Sequence, residues 1–179
     1  MIRFGLLLMM FFTMQSAFAA DSFMGIPRFK GVESVKSKVY QSNCAECHFA
    51  YFPGLLPARS WQKLMTKSAL KDHFDENAEL DEGDRQEILA FLVEHAADHS
   101  HYKRSIKIRR SIPQLAAPLR ITEVPYIKRK HSEIPARLIK GNKKVRSLSN
   151  CARCHTQAED KGVFDDDTVF IKGYGVWDD

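Results

Sequence analysis

The sequence predicts a mainly α-helical protein with two lobes, of which the first is regular and the second is less regular and rich in extended loops. Apolar residues recur at helical spacing in the first half of the chain. Four prolines between residues 113 and 135 interrupt any such spacing in the second half. Each half also contains one Cys-x-x-Cys-His segment, so each predicted lobe has its own candidate site.

The first 19 residues have the features of a secretory signal peptide. Arg3 supplies a positive charge, residues 4–14 form an apolar run, and Ala17-Phe18-Ala19 has the small-x-small pattern of a cleavage site. The apolar run is too short to span a bilayer as a helix. We therefore expect a periplasmic protein of 160 residues that begins at Ala20, with a retained N-terminal membrane anchor as the alternative.

Three helices are predicted in the first lobe. Valines spaced by three and four residues predict a helix over residues 32–47 that ends in the first cysteine segment. Ser60 is predicted to cap a helix that begins at Trp61. A further apolar stripe, preceded by acidic residues that favour the positive end of a helix dipole, predicts a helix over residues 82–97.

The second lobe is expected to be less regular. Proline removes an amide donor and biases the residue before it to extended backbone, so residues 100–135 are predicted to form an extended wrap. A helix is predicted to return near Lys143 and to lead into the second cysteine segment.

All four cysteines belong to two Cys-x-x-Cys-His segments, the signature of haem c attachment. Two thiols at this spacing can bond to one edge of a haem, and the histidine that follows can bind the iron. The segments are Cys44-Ala45-Glu46-Cys47-His48 and Cys151-Ala152-Arg153-Cys154-His155.

Other uses of these cysteines fit less well. A single zinc site is disfavoured because 103 residues separate the two pairs. A disulfide within either pair would be strained and would leave both histidines unexplained. The sequence therefore predicts two covalently bound haem c groups, attached through Cys44, Cys47, Cys151 and Cys154, with His48 and His155 bound to the irons.

The second axial ligand of each iron is less clear from the sequence. Only Met24 and Met65 remain after removal of the signal peptide, and residues 156–179 contain no methionine or histidine. The candidate ligands are five histidines: His73, His95, His99, His101 and His131. His73 follows the helix predicted at Trp61, and His131 precedes the second cysteine segment by twenty residues.

His95 competes with His73 because it shares a predicted helix face with apolar residues, where a histidine is more often part of the core. His99 and His101 lie in a polar hinge, where exposure to solvent is expected.

Charge is strongly segregated along the chain. Residues 69–98 carry a net charge of −8, whereas residues 99–150 contain fourteen basic and two acidic residues. Such runs are often only solvated surface. The functional alternative is a basic surface that steers a redox partner into contact.

The chain resembles the small periplasmic dihaem cytochrome c family. Besides the two haem segments, the resemblance extends over most of the mature chain, at residues 44–51, 53–61, 72–74, 77–78, 96–98, 131–135 and 173–178. It implies a class I cytochrome c-like N-terminal lobe and a less regular C-terminal haem lobe. It also implies bis-histidine ligation at both irons and favours His73 and His131 as the distal ligands. Asparagine is usual in that family at the position of His95, which disfavours His95 as a ligand.

The function expected from these features is electron transfer between redox partners. We expect a signal peptide over residues 1–19, an N-terminal haem c domain over 20–98 and a C-terminal haem c domain over 99–179. With both irons six-coordinate, no residue needs a catalytic role. A peroxidase or reductase would require an iron with an open position, and a ligand sensor or an assembly subunit is a third alternative.

The partner expected from the resemblance is another redox protein, above all another haem protein, with a membrane-bound cytochrome among the candidates. We expect no nucleic acid partner and no stable insertion into a membrane. The chain is expected to be a monomer or to form transient complexes.

Overall fold

The computed structural model describes residues 22–23, 26–27 and 29–177, and the predicted signal peptide lies outside them. The described helices are α1 (Lys38–Cys44), α2 (Ala58–Leu64), α3 (Lys67–Lys71), α4 (Glu82–Glu94), α5 (Lys103–Ser111), α6 (Pro125–Lys130), α7 (Ala136–Ile139) and α8 (Ala158–Lys161). Two antiparallel hairpins pair β1 (Ser22–Phe23) with β2 (Ile26–Pro27) and β3 (Phe170–Ile171) with β4 (Gly175–Val176). Short 3₁₀ turns lie at Pro53–Leu55, Ile121–Glu123, Cys151–Arg153 and Asp166–Thr168. The predicted mainly α fold is confirmed, and none of the described helices is long and apolar enough to cross a bilayer.

Helix α1 is much shorter than the helix predicted over residues 32–47, so that prediction was wrong at its start. The hydroxyl of Ser37 accepts a hydrogen bond from the amide of Tyr40 and caps the helix there. Before the cap, the amide of Val32 donates to the carbonyl of Gly162 at 3.0 Å. Gly31 has a φ of +69°, and a Cβ at this position would collide with the Gly162 carbonyl. Residues 31–32 are therefore held against the C-terminal half of the chain and are not helical.

Helix α2 begins at Ala58, so the prediction of a Ser60 cap and a start at Trp61 was wrong. Ser60 is fully buried inside the helix and its hydroxyl has no hydrogen-bond partner. The cap comes instead from Asp98, whose Oδ2 accepts a hydrogen bond from the Ala58 amide at 2.5 Å. A side chain forty residues away in sequence thus decides where this helix starts.

Helix α4 confirms the helix predicted over residues 82–97, although it ends three residues early, at Glu94. Ile88 and Leu92 are its fully buried residues, as the apolar spacing requires. The acidic residues at its start lie at the positive end of the helix dipole. This helix packs against α1 and α2 and forms the centre of the first half.

The extended wrap predicted over residues 100–135 was wrong, because α5 and α6 lie within it. Helix α5 contains no proline, and its buried residues Ser105 and Ile108 are spaced by one helical turn while its charged side chains stay exposed or partly exposed. Pro125 is the first residue of α6, where its fixed φ and missing amide proton are compatible with a helix start. The proline that was taken as a helix breaker instead marks where a helix begins.

The helix predicted near Lys143 is also absent; residues 143–150 form turns. The side chain of Asn142 accepts a hydrogen bond from the Lys144 amide and donates one to the Lys172 carbonyl. Arg146 has a φ of +70°, which no α-helix contains. Local side-chain hydrogen bonds therefore replace the helical ones in this segment.

The larger of two apolar clusters draws residues from both sides of position 98. It joins residues such as Leu55, Trp61 and Leu92 to Ile108, Tyr126 and Phe164. The smaller cluster contains Leu138, Val145, Val169 and Ile171. The two haem segments are thus attached to one continuous core, and the domain boundary at residues 98 and 99 stays a prediction.

Candidate haem sites

The second cysteine segment lies on a short turn that holds its histidine under its cysteines. Cys151 begins a 3₁₀ turn, and its carbonyl accepts hydrogen bonds from the amides of Cys154 at 3.1 Å and His155 at 2.8 Å. An isolated β-bridge joins His155 to Val169. Cys151 packs against the larger core cluster and Cys154 against the smaller one. The segment therefore lies at the junction of the two clusters.

A cleft of about 1050 Å³, part of it open to solvent, extends from this segment. Its walls include the side chains of His131, Cys151, Cys154 and His155, and most of its other lining residues are apolar. Leu55, from the first half of the chain, is among them. An apolar cleft with two cysteines and two histidines suits a flat apolar ligand that carries a metal.

His131 and His155 lie next to each other in this cleft, with ring centres 6.0 Å apart and ring planes inclined at 76°. His131 follows the last residue of α6, and its Nδ1 is 2.8 Å from the Ile127 carbonyl oxygen. A hydrogen bond of this kind assigns the proton to Nδ1 and leaves Nε2 available for a metal. The structure thus brings His131 to the second cysteine segment.

His155 is held in the neutral form that binds metals. Burial lowers the pKa of His155 to about 4, and the nearby His131 and Arg104 act in the same direction. Its Nδ1 is buried and has no hydrogen-bond partner among the described protein atoms. A buried ring nitrogen without a protein partner is expected where a non-protein group completes the site.

The first cysteine segment begins where α1 ends, at Cys44. The Nδ1 of His48 is 2.9 Å from the Phe49 carbonyl oxygen, so its Nε2 is likewise available. The His48 ring stacks on Tyr51, with centres 4.4 Å apart and planes at 20°. A hydrogen bond and an aromatic contact therefore orient this histidine.

His73 lies in a tight turn after α3 and close to His48. Burial lowers the pKa of His73, and the nearby His48 and Arg120 act in the same direction. Its Nδ1 is buried without a hydrogen-bond partner. The next residue, Phe74, has a φ of +57°, and the Arg120 guanidinium lies 3.8 Å from the centre of its ring. The structure thus brings His73 to the first segment.

The remaining candidate histidines have other surroundings. The Nδ1 of His95 is 3.6 Å from Glu33, and its ring lies 5.1 Å from that of Phe91. His99 and His101 are exposed. None of the three lines the cleft at the second segment.

No disulfide joins any of the four cysteines, all of which lie among the described residues. Burial raises the pKa of Cys44 and of Cys151 to about 11. A redox-active Cys-x-x-Cys pair requires the opposite shift. Among the described residues, no group of three or more Cys, His, Asp or Glu side chains is arranged to hold a metal ion directly. The residues present instead fit a haem, which needs only two thioether bonds and axial histidines.

Several residues that line the cleft at the second cysteine segment could not be predicted from the sequence. Arg104 on α5 pairs with Asp165 at 2.7 Å, and Lys130 pairs with Asp166 at 3.6 Å. These pairs join residues that are far apart in sequence, and no spacing rule would relate them. Three of these four residues, Arg104, Lys130 and Asp166, line the cleft.

The fold and the two sites define a c-type haem protein with one covalent attachment segment in each half. A family model described as dihaem cytochrome c matches residues 40–164, and the chain belongs to that family. Its members carry two covalently bound haem c groups, are electron carriers and not enzymes, and transfer electrons through the haems. Cytochromes of this type are typically exported.

Solved structures of the same family resemble the chain over most of its length. The diheme cytochrome type c of Shewanella baltica OS155 is 39% identical, with a TM-score of 0.64, and the match covers 79% of this chain and 97% of that one. The diheme cytochrome c of Rhodobacter sphaeroides is 45% identical, with a TM-score of 0.63, over 75% of this chain and 99% of that one. No curated protein sequence gives a significant match.

Proposed function

We propose that this chain is a periplasmic electron carrier in which both irons have two histidine ligands. His48 and His73 bind the first iron, and His155 and His131 bind the second. The chain exchanges electrons with another haem protein, a membrane-bound cytochrome among the candidates, which meets it in a transient complex.

The main support for two histidine ligands at the second iron is the distance between His131 and His155. Imidazole nitrogens lie about 1 Å from the ring centre, so rings 6.0 Å apart leave about 4 Å between facing nitrogens, the span of two metal–imidazole bonds of about 2 Å. The 76° between the ring planes is compatible with two rings that are turned about a shared axis. The hydrogen bond from His131 to Ile127 supports the same orientation.

The surroundings of His48 and His73 support the same ligation at the first iron. The nearby His48 lowers the pKa of His73, and His73 has a buried ring nitrogen that no described protein atom satisfies. Met65, the one methionine among the described residues, is 5% exposed and belongs to the larger core cluster. Among the described residues, His73 is therefore a better candidate than Met65 for the second axial ligand of the first iron.

Two histidine ligands at each iron would close both irons to small molecules. Replacement of methionine by histidine as axial ligand lowers the reduction potential of a haem. We therefore expect outer-sphere electron transfer at potentials below those of cytochromes with methionine and histidine ligands. A peroxidase or a reductase would need one iron with an exchangeable position.

A cluster of basic side chains next to the cleft at the second cysteine segment supports the docking of a redox partner there. The guanidinium of Arg104, which lines the cleft, donates to the Tyr126 hydroxyl at 3.3 Å. Lys107 and Arg129 approach the same Tyr126 ring at 5.8 and 5.6 Å. Because α6 leads directly into His131, a partner that binds here would lie close to the second iron. A partner with an acidic surface fits this cluster.

The visible spectrum of the reduced protein, recorded with and without carbon monoxide, tests the proposed ligation. An unchanged spectrum is expected, because two histidines occupy both axial positions of each iron. The unfolded holoprotein, in which carbon monoxide can reach both irons, calibrates the full change. A change of about half that size in the folded protein would mean that one iron is open, and an enzyme or a sensor would replace the carrier.

Periplasmic export is tested by the N-terminus of the protein recovered from a periplasmic fraction. Cleavage after residue 19 would leave Ala20 as the first residue of the haem-bearing chain. Recovery of the uncleaved chain in the membrane fraction would mean that the N-terminus is a retained anchor.

A further inference from the structure

Tyr51 contacts the first haem segment and the chain two residues before the second. Its ring stacks on that of His48 with a centre-to-centre distance of 4.4 Å. Its hydroxyl donates to the carbonyl oxygen of Ser149 at 2.5 Å, across 98 positions of sequence. One side chain thus reaches from the axial histidine of the first segment to the start of the second.

The first cysteine of the second segment also lies close to the Ser149 carbonyl. The sulfur of Cys151 lies 3.7 Å from the same oxygen, two residues along the chain. The Tyr51 hydroxyl and the Cys151 sulfur are therefore both close to one oxygen, and this nearness does not require a proton on the sulfur. The contacts run without a gap from the His48 ring through Tyr51 and Ser149 to the Cys151 sulfur.

We propose that Tyr51 is a positioning residue for electron exchange between the two haems. Its stacked ring and its hydrogen bond hold His48 and Cys151 in a fixed relation and connect them electronically. The exchange moves one electron: one iron is oxidised from Fe(II) to Fe(III), the other is reduced from Fe(III) to Fe(II), and the Tyr51 hydroxyl keeps its proton. The proposal rests on the assignment of His48 as an axial ligand and Cys151 as a haem attachment residue.

A second tyrosine bonds to the backbone of Tyr51 and not to its side chain. The hydroxyl of Tyr40, on α1, donates to the Tyr51 carbonyl oxygen at 2.9 Å. Among the described residues Tyr40 makes no hydrogen bond to the second segment, so it offers a matched control. Loss of the Tyr40 hydroxyl removes a hydrogen bond of the same kind but leaves the Tyr51 contacts to His48 and Ser149 in place.

The experiment compares Tyr51→Phe, Tyr51→Leu and Tyr40→Phe in the holoprotein. A light pulse with a photoreductant delivers one electron to the oxidised protein, and the redistribution between the two haems is followed by absorbance. Tyr51→Phe, which keeps the stacked ring, is expected to slow redistribution several-fold, and Tyr51→Leu is expected to slow it further. Tyr40→Phe is expected to leave the rate near that of the unmodified protein.

A second measurement does not depend on electron-transfer rate. Electron paramagnetic resonance of the fully oxidised protein reports the orientation of the axial histidine rings. Tyr51→Leu is expected to shift the signal of the first haem, because the ring that stacks on His48 is gone, whereas Tyr51→Phe should not. Tyr51→Phe also keeps the partly buried ring, so the test stands if Tyr51→Leu fails to fold.

The outcomes separate this inference from the proposed ligation. Unchanged redistribution in both Tyr51 variants would overturn the role of Tyr51, as would equal slowing in Tyr40→Phe and Tyr51→Phe. A carbon monoxide adduct in the unmodified protein would overturn bis-histidine ligation, and the comparison of rates among the variants would still decide the role of Tyr51.

Discussion

Asp98 accepts a hydrogen bond from the amide of Ala58, with 2.5 Å between Oδ2 and N, and so caps a helix that begins forty residues earlier. Its other oxygen, Oδ1, lies 3.8 Å from the Arg59 guanidinium. Arg59 in turn donates to the carbonyls of Ala116 and Pro113. The cap of α2 therefore also connects the first half of the chain to the loop that follows α5.

Replacement of Asp98 by alanine should destabilise the protein. The Ala58 amide loses its acceptor and Arg59 loses its counterion, so the free energy of unfolding is expected to fall by about 1–2 kcal/mol. Denaturant unfolding of the holoprotein, followed by circular dichroism, measures the change. Asp98→Asn keeps an acceptor oxygen and should lose less; an equal loss in both variants would mean that the cap contributes little.

Replacement of His131 by alanine should convert only the second haem to high spin. The second iron loses one axial ligand, while His48 and His73 still close the first. Visible and electron paramagnetic resonance spectra are expected to show one high-spin and one low-spin haem, and added imidazole should restore the low-spin form. His95→Ala is the control, because His95 faces Glu33 away from the cleft. Two low-spin haems in His131→Ala would assign the ligand to another residue.

Removal of Arg120 should loosen the turn that holds His73. The guanidinium lies over the Phe74 ring at 3.8 Å, and a cation–π contact at an exposed site contributes about 0.5–1 kcal/mol. In Arg120→Gln, a turn weakened by this amount opens about two- to fivefold more often. The rate at which cyanide displaces a ligand from the oxidised first iron, followed by absorbance, should rise by the same factor.

Arg110→Gln provides the matched control for that variant, since Arg110 is exposed on α5 and makes no hydrogen bond or ion pair with either haem segment among the residues that the structure describes. An equal rise in both variants would reflect a general loss of positive charge and not a looser turn.

Neutralisation of the basic cluster next to the cleft at the second cysteine segment should slow electron exchange with an acidic redox partner. Lys128 is an exposed neighbour of Arg129 on α6. Replacement of Lys107, Lys128 and Arg129 by glutamine removes long-range attraction, so the association rate is expected to fall and to depend less on ionic strength. Stopped-flow kinetics over a series of salt concentrations measures both effects. Glutamine at Lys36, Lys38 and Lys63 removes the same charge from exposed positions in the first half. If that control slows the reaction equally, net charge and not this cluster steers the partner.

The attachment of two haems could be predicted from the sequence because its signal is local. The thiols and the histidine of each segment lie within five consecutive residues, and the spacing alone determines which atoms can reach one haem. Helix α4 was predictable for the same reason: its apolar stripe and its acidic first turn are features of one short stretch. Here local pattern and final structure agree.

The tertiary structure decided what depends on residues that are distant in sequence. Asp98 placed the start of α2, and the contact of Gly31 with Gly162 kept residues 31–32 out of α1. Pro125 began a helix where its local effect predicted an extended chain, because the helix packs on α5. The nearness of His131 to His155, and of Tyr51 to Ser149, likewise follows from chain packing. By itself the sequence determined that there are two haem segments and predicted which of their groups bond to each haem. Packing decided which side chains face those segments and how the two sites are joined, since neither relation is encoded in any spacing along the chain.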